Sequence, residues 1–406
     1  MSDVASVQKQ RASLRALFSY GFRPFFLGAG VFAVITMSVW VAWISLQGPP
    51  WAMFGSSPFA WHAHEMIFGF ATAAVAGFLL TAVPNWTGAL PLSGPPLMLL
   101  FGVWLAGRIA MLAAGVLGTV IAAGIDLSFL LLLGVSAARQ LFIKPAARNF
   151  LLLAILAAML GANVAYHLAN TGLWPGNELG SLRFALMLLV LMIAIVGGRV
   201  IPAFTHNWLH LNTTSVRMPQ RFAWLDAAAI IGVAVVAALQ LVPAPDWLQG
   251  CVALAAALAN GARLFLWRGA GTWRAPIVFI LHVGYAWLVV GLLMISAAAF
   301  GAGLPSIPAE HAFGAGAVAT MIMAIMTRAS LGHTGREITA PNAMVLAYGL
   351  LTLAALLRVF GVQLAPGRYV ELLLTAALAW VGAFALFVIA YAPILMMPRA
   401  GASTTR

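Results

Sequence analysis

Twelve long, apolar and largely uncharged stretches follow one another through this chain, near 24–46, 62–84, 95–115, 117–138, 148–171, 182–203, 222–242, 247–266, 275–300, 308–330, 341–362 and 368–396. A helix needs about 20 such residues to cross the ~30 Å hydrocarbon layer, and each stretch has them. A transmembrane barrel would instead show short alternating segments, and nothing here alternates. Only 7% of the 406 residues are charged and 63% are hydrophobic. A soluble domain would carry about a quarter charged residues. The expected fold is all-α: a single polytopic membrane domain over 1–406, with segment 1–23 before the spans of 24–396 and a tail at 397–406. The first span follows a basic segment but exceeds a signal-peptide core, and no A-x-A site follows, so it reads as a retained helix.

The basic residues give the orientation, because cytoplasmic loops retain Lys and Arg. With the N-terminus inside, Lys9, Arg11, Arg15, Arg23, Arg139, Lys144, Arg148, Arg199, Arg217, Arg221, Arg263, Arg268, Arg274, Arg328, Arg336, Arg399 and Arg406 fall on the inner side. Only Arg183, Arg358 and Arg368 fall outside, and Arg108 lies within the third span. Both termini are therefore expected in the cytoplasm. The net charge of +12 is mostly this topology signal. Its carriers are scattered over short loops, so they form no nucleic-acid face.

The lone Cys251 rules out an internal disulfide, a CxxC pair and a thiolate cluster. The methionines, among them MIMAIM at 321–326, are soft copper ligands or flexible apolar filler. The histidines sort by side. His62, His64, His167 and His311 fall at outer span ends, whereas His206, His210, His282 and His333 fall at or near inner ends. Any one of them can be an interfacial anchor, but ionisable groups inside spans generally face a bundle interior and mark a site.

An internal repeat concentrates attention on three spans. Shifting span two by 247 residues lays His64 on His311, Gly69 on Gly316, Thr87 on Thr334 and Gly88 on Gly335. Span six joins at a shift of 118, which lays Pro84 on Pro202 and Thr87 on Thr205. At 129, Arg199 falls on Arg328. TAVPNWTG, GRVIPAFTH and MTRASLGHTG thus read as versions of one inner-end turn, four spans apart each time. The repeat implies three four-helix units about a pseudo-threefold centre. His64 and His311 would then lie at equal depth and hold a b-type haem between them, as neutral imidazoles do. That architecture is similar to the catalytic subunit of the haem-copper oxidases.

On a regular helix His62 and His64 point about 200° apart, and His62 shares its face with Glu65. His62 and Glu65 are then free for a second site with His167, or Glu65 can carry protons or be a hydrogen-bonded structural carboxylate. His206, His282 and His333 are candidates for an inner metal or haem site. Arg199 and Arg328 would hold haem propionates or anchor to lipid phosphates.

Four segments carry a resemblance: FSYGFRPFFL (18–27), WHAHEMIFGFATAAVAGFLLTAVPNWTG (61–88), GGRVIPAFTHN (197–207) and MTRASLGHTGR (326–336). The chain resembles the NnrS family over nearly its whole length. The resemblance implies a protein of the bacterial inner membrane that binds haem and copper and is linked to denitrification and nitric oxide stress. It brings no assignment of individual ligands.

Three functions are compatible with these features. One is reduction of nitric oxide to nitrous oxide with electrons from quinol or a periplasmic donor. The second is non-catalytic sequestration of nitric oxide or protection of iron centres. The third is a twelve-helix transporter. For the first, Glu65 and Glu310 are the outer-side proton carriers. Asp126, Asp226 and Glu371 line no single path, so proton uptake from outside without pumping is expected.

Overall fold

The computed structural model describes residues 13–46, 51–144, 147–213, 217–303 and 306–400. Lys9, Arg11 and Arg406, assigned above to the inner side, lie outside them. Among the described residues every regular element is helical and there is no strand. Eleven helices are long and apolar enough to cross a membrane. They are α1 (Phe22–Leu46), α2 (Pro58–Thr87), α3 (Pro95–Leu112), α4 (Thr119–Leu141), α5 (Ala147–Asn170), α6 (Glu178–Asn212), α8 (Asp246–Leu266), α9 (Pro276–Ala299), α10 (Ile307–His333), α11 (Asn342–Leu364) and α12 (Tyr369–Met396). The seventh expected span is α7 (Ala223–Leu239), apolar but only 17 residues long. The chain is a polytopic all-α membrane protein, the form in which every backbone group is paired within its own segment.

Local chemistry sets the helix ends. Proline opens α2, α3 and α9, where its missing N–H costs nothing. Ser57 caps α2 by accepting a hydrogen bond from Ala60 N at 3.2 Å. Gly88 and Gly335, equivalent in the repeat, stop α2 and follow α10 with φ of 73° and 71°, a conformation that favours glycine. Thr87 and Thr334 each donate a hydroxyl to the carbonyl four residues back. The third proposed version of this turn is not a turn. At Thr205 the helix runs on to Asn212, because His206 stands where the other two copies have glycine.

The repeat has a second structural signature. In α2 the α-helix gives way to a π-helical segment over Glu65–Ala71, and in α10 over Ala312–Val318. These segments begin directly after His64 and His311 and have the same length, so the shift of 247 holds residue for residue.

By its contacts the chain forms two compact units. The first comprises Met1–Leu179, Met326–Ile338 and Phe384–Arg406; its described helices are α1–α5 and the ends of α10 and α12. Phe25, Phe26, Phe68, Phe70 and Phe129 are buried in it. The Phe25 ring lies 5.8 Å from that of Phe129, and Phe70 meets Phe384 edge-on at 5.1 Å. Buried Arg23 donates to the carbonyls of Leu395 and Met397 at 2.8 and 2.6 Å, satisfying the end of α12. The second unit comprises Gly180–Ile325 and Thr339–Ala383. There Arg263 of α8 donates to Asp226 of α7 at 2.8 Å, Tyr285 of α9 at 2.6 Å and the Ala194 carbonyl of α6 at 3.1 Å. Apolar lipid gives helices no hydrophobic reason to associate, so close packing and polar ties of this kind hold them together.

Candidate functional site

The site is built where four helices of the first unit bring polar groups to the same end of their spans. His64 and Glu65 stand on α2, Arg108 on α3, Asp126 on α4, and Asn163 and His167 one helical turn apart on α5. All six are buried, and His64 and Glu65 have no exposed surface. At 1.5 Å per residue, His64 and Asp126 lie about 10 Å inside the starts of their helices.

Two glycines and the π-segment make this packing possible. Around Gly69, a side chain would collide with the Phe32 ring at 2.3 Å and crowd Arg108 Nη1 at 3.1 Å. At Gly107 the chain faces the Asp126 backbone, with a hypothetical Cβ only 3.3 Å from Asp126 Cα. α2 and α3 are joined by two rungs one turn apart. Trp104 donates to the Gly69 carbonyl at 3.0 Å, and Arg108 donates to Glu65 Oε1 at 2.6 Å. Inserting π-geometry changes the hydrogen-bond register of α2, with Thr72 N bonding the Ile67 carbonyl.

Arg108 also donates through its second terminal nitrogen to Asp126 Oδ1. Asp126 Oδ2 accepts from Asn163 Nδ2 at 2.8 Å and from His167 Nε2 at 2.9 Å, and lies 3.3 Å from His64 Nε2. His64 Nδ1 lies 2.8 Å from Glu65 Oε1, to which it can donate, and its Nε2 lies 3.0 Å from the Asn163 side-chain amide oxygen. The Asn163 amide is oriented by its bond to Asp126, so both His64 nitrogens face acceptors. Arg108 stands between the two carboxylates, Glu65 and Asp126, and His64 touches both. The Tyr166 ring lies 4.5 Å from that of His64, nearly parallel to it.

The same atoms fit a metal ion. Ligand atoms of His64, Asp126 and His167 all lie within 4.8 Å of one another. A cation in place of the Nε2 proton of His64 would meet two imidazole nitrogens and a carboxylate oxygen, a donor set suited to copper or iron. His64 Nδ1–H would still donate to Glu65, the outer carboxylate that generally orients a ligating histidine.

The remaining expected residues fall as follows. His62 does not share a face with Glu65: it stacks on Trp40 of α1 at 4.3 Å, while Glu65 turns to His64 and Arg108. The Glu65 side chain enters the cluster at the start of the π-segment, where regular helical spacing no longer applies. His311 belongs to the second unit, its Nδ1 2.9 Å from the Ile307 carbonyl. Glu310 of that unit accepts from Arg183 at 2.6 Å. Of the inner group, His282 is 2.8 Å from Thr205 Oγ1 and His206 stacks on His210 at 6.0 Å, both in the second unit. His333 stacks on Tyr20 at 6.1 Å in the first. Arg199 is exposed and Arg328 half-buried. Sequence reasoning missed Arg108, Asp126 and Asn163, although a lone arginine and a lone aspartate in adjacent apolar spans already called for each other.

A family model described as NnrS protein matches residues 16–399. No curated protein matches the chain.

Proposed function

Because the chain belongs to the NnrS family, which makes it a nitric oxide-related membrane protein, we propose that it reduces nitric oxide to nitrous oxide at a metal held by His64, Asp126 and His167. The observation that carries this reading is the convergence of three buried ligand atoms within 4.8 Å, backed by the Glu65 carboxylate behind His64. A bound copper or iron would supply the position for nitric oxide and pass electrons to it. Nitric oxide is uncharged and dissolves in lipid, so a site without a charged channel suits it.

Joining two nitric oxide molecules consumes two electrons and two protons and gives nitrous oxide and water. With the metal on His64, Asp126 and His167, protons would have two places in the cluster: His64 Nδ1 and the Glu65 carboxyl. Glu65 Oε2 is buried and makes no hydrogen bond, so it is the oxygen at which an arriving proton would be held. Arg108 keeps the two carboxylates in place while charge moves. With both termini in the cytoplasm of a bacterial inner membrane, the cluster lies towards the outer face, and protons would enter from that side. A b-type haem, the second cofactor of the family resemblance, would need ligands other than His64, whose two ring nitrogens are taken by the metal and by Glu65.

Sealing of the cluster also favours a second reading, in which nitric oxide is only held. Metal analysis of purified protein and a nitric oxide electrode separate the two. The expected result is a copper- or iron-loaded protein that consumes nitric oxide with reductant, and an Asp126→Asn variant with neither property. Nitric oxide bound but not consumed would leave sequestration, and a metal-free wild-type protein would remove both.

A further inference from the structure

The two copies of the π-segment meet different surroundings. In the first unit it borders the sealed cluster. In the second unit Phe313 of the segment and the preceding Glu310 line an open cavity of about 300 Å³. Its polar lining is Arg183, Gln240, Asp246, Gln249 and Glu310, and its apolar wall includes Leu186 and Ile295. We propose that this cavity binds the hydroquinone head of a lipid-soluble quinol.

Four features carry the assignment. The first is position. Arg183 is near the start of α6, Gln240 follows α7, Asp246 begins α8, and Ala298 and Ala299 end α9. The cavity therefore lies at span ends, at the level where a molecule with an apolar tail keeps its polar head. Size is the second: small-ligand sites begin at about 300 Å³. The third is charge. Two carboxylates against one guanidinium leave an excess of one negative charge, which opposes a fatty acid or an anionic phospholipid. The fourth is the mixture of donors and acceptors. Phenolic hydroxyls can donate to Glu310 or Asp246, and quinone oxygens can accept from Arg183. Gln249 donates to the Ala244 carbonyl at 3.0 Å and retains Oε1 as an acceptor. The Arg183–Glu310 pair is 2.6 Å long and about a third exposed on each side, so a ligand can reach it.

Oxidation of one hydroquinone to the quinone releases two electrons and two protons, the number that joins two nitric oxide molecules into nitrous oxide and water. The role of electron donor rests on the proposed reduction, whereas binding of the ring does not. The test uses full-length protein in quinone-free nanodiscs, titrated calorimetrically with a quinol carrying a ten-carbon tail. Saturable binding is expected in the wild type, at least tenfold weaker in Glu310→Gln. Ala298→Phe, which fills the cavity and leaves the ion pair intact, should weaken it equally. No binding by the wild type, unchanged binding in both variants, or displacement of the quinol by stoichiometric oleate would overturn the proposal. Nitric oxide consumption driven by a soluble artificial reductant should survive in Ala298→Phe. Its absence in the wild type would count against the reduction, and leave the binding result to decide the cavity.

Discussion

Arg108 and Glu65, from neighbouring helices, share a 2.6 Å ion pair with almost no exposed surface on either side chain. The same guanidinium grips Asp126, so one cation stands between two buried carboxylates. Removing it would leave both without their main partner, whereas a cation of another shape would restore charge but not the fork.

Arg108→Leu should therefore destabilise the first unit by about 3–5 kcal/mol, the usual cost of breaking a buried pair. Thermal unfolding in detergent reads this out. Arg108→Lys should recover part of the loss. A Leu variant as stable as the wild type would mean that the cluster does not bear on folding.

Metal affinity should respond in two grades. His167→Ala and Asp126→Asn, which remove ligand atoms, should empty the site. Glu65→Gln, which removes no ligand atom but changes the partner of His64 Nδ1 and the charge facing Arg108, should weaken metal binding about 10–100-fold. Elemental analysis after dialysis against a graded chelator distinguishes these outcomes from an equal loss in all three.

Gly69→Ala should be costly in a position where most helical residues accept alanine. The added carbon would meet the Phe32 ring at 2.3 Å, and displacing that ring also disturbs Arg108. A loss of about 1–3 kcal/mol is expected from such overpacking, together with a lower metal content. Circular dichroism melts and elemental analysis of one preparation test both.

His64→Ala and His311→Ala separate the cofactor assignments. A metal held within the first unit predicts that His64→Ala loses it and His311→Ala keeps it. A b-type haem shared by both histidines predicts that each variant loses the low-spin visible spectrum. Spectra and metal content from the same samples decide.

Proteoliposomes with an entrapped pH dye and an external electron donor report on proton entry. Outer-side uptake in protein oriented as in the cell predicts a steady interior during nitric oxide consumption. Alkalinisation of the interior would contradict it. Full turnover by Glu65→Gln would separately take Glu65 off the route.

The spans were legible because lipid imposes one rule on every residue in them, and a run such as 182–203 announces itself. The register between α2 and α10 was equally legible, since His64, Gly69, Thr87 and Gly88 recur as letters. What the letters meant was less so. The π-segments leave no compositional mark, and Thr205 carries the repeat's threonine without the glycine that would turn the chain. The cluster was only half visible. His64, Glu65 and His167 stood out as polar residues at span ends, but Arg108, Asp126 and Asn163 find their partners through helix packing that no local pattern encodes. His62, only two residues from His64, lies outside the cluster with its ring stacked on Trp40.

The brevity of α7 has a consequence for the surrounding lipid. Its 17 residues rise about 25 Å against a hydrocarbon layer of about 30 Å, and tilting could only shorten its reach. Trp224 and Ile231 on this helix are 70% and 60% exposed, so the acyl chains beside it must follow its length. The bilayer is therefore expected to be pinched along this flank. Hydrophobic mismatch of that kind would draw the protein towards thinner membrane regions.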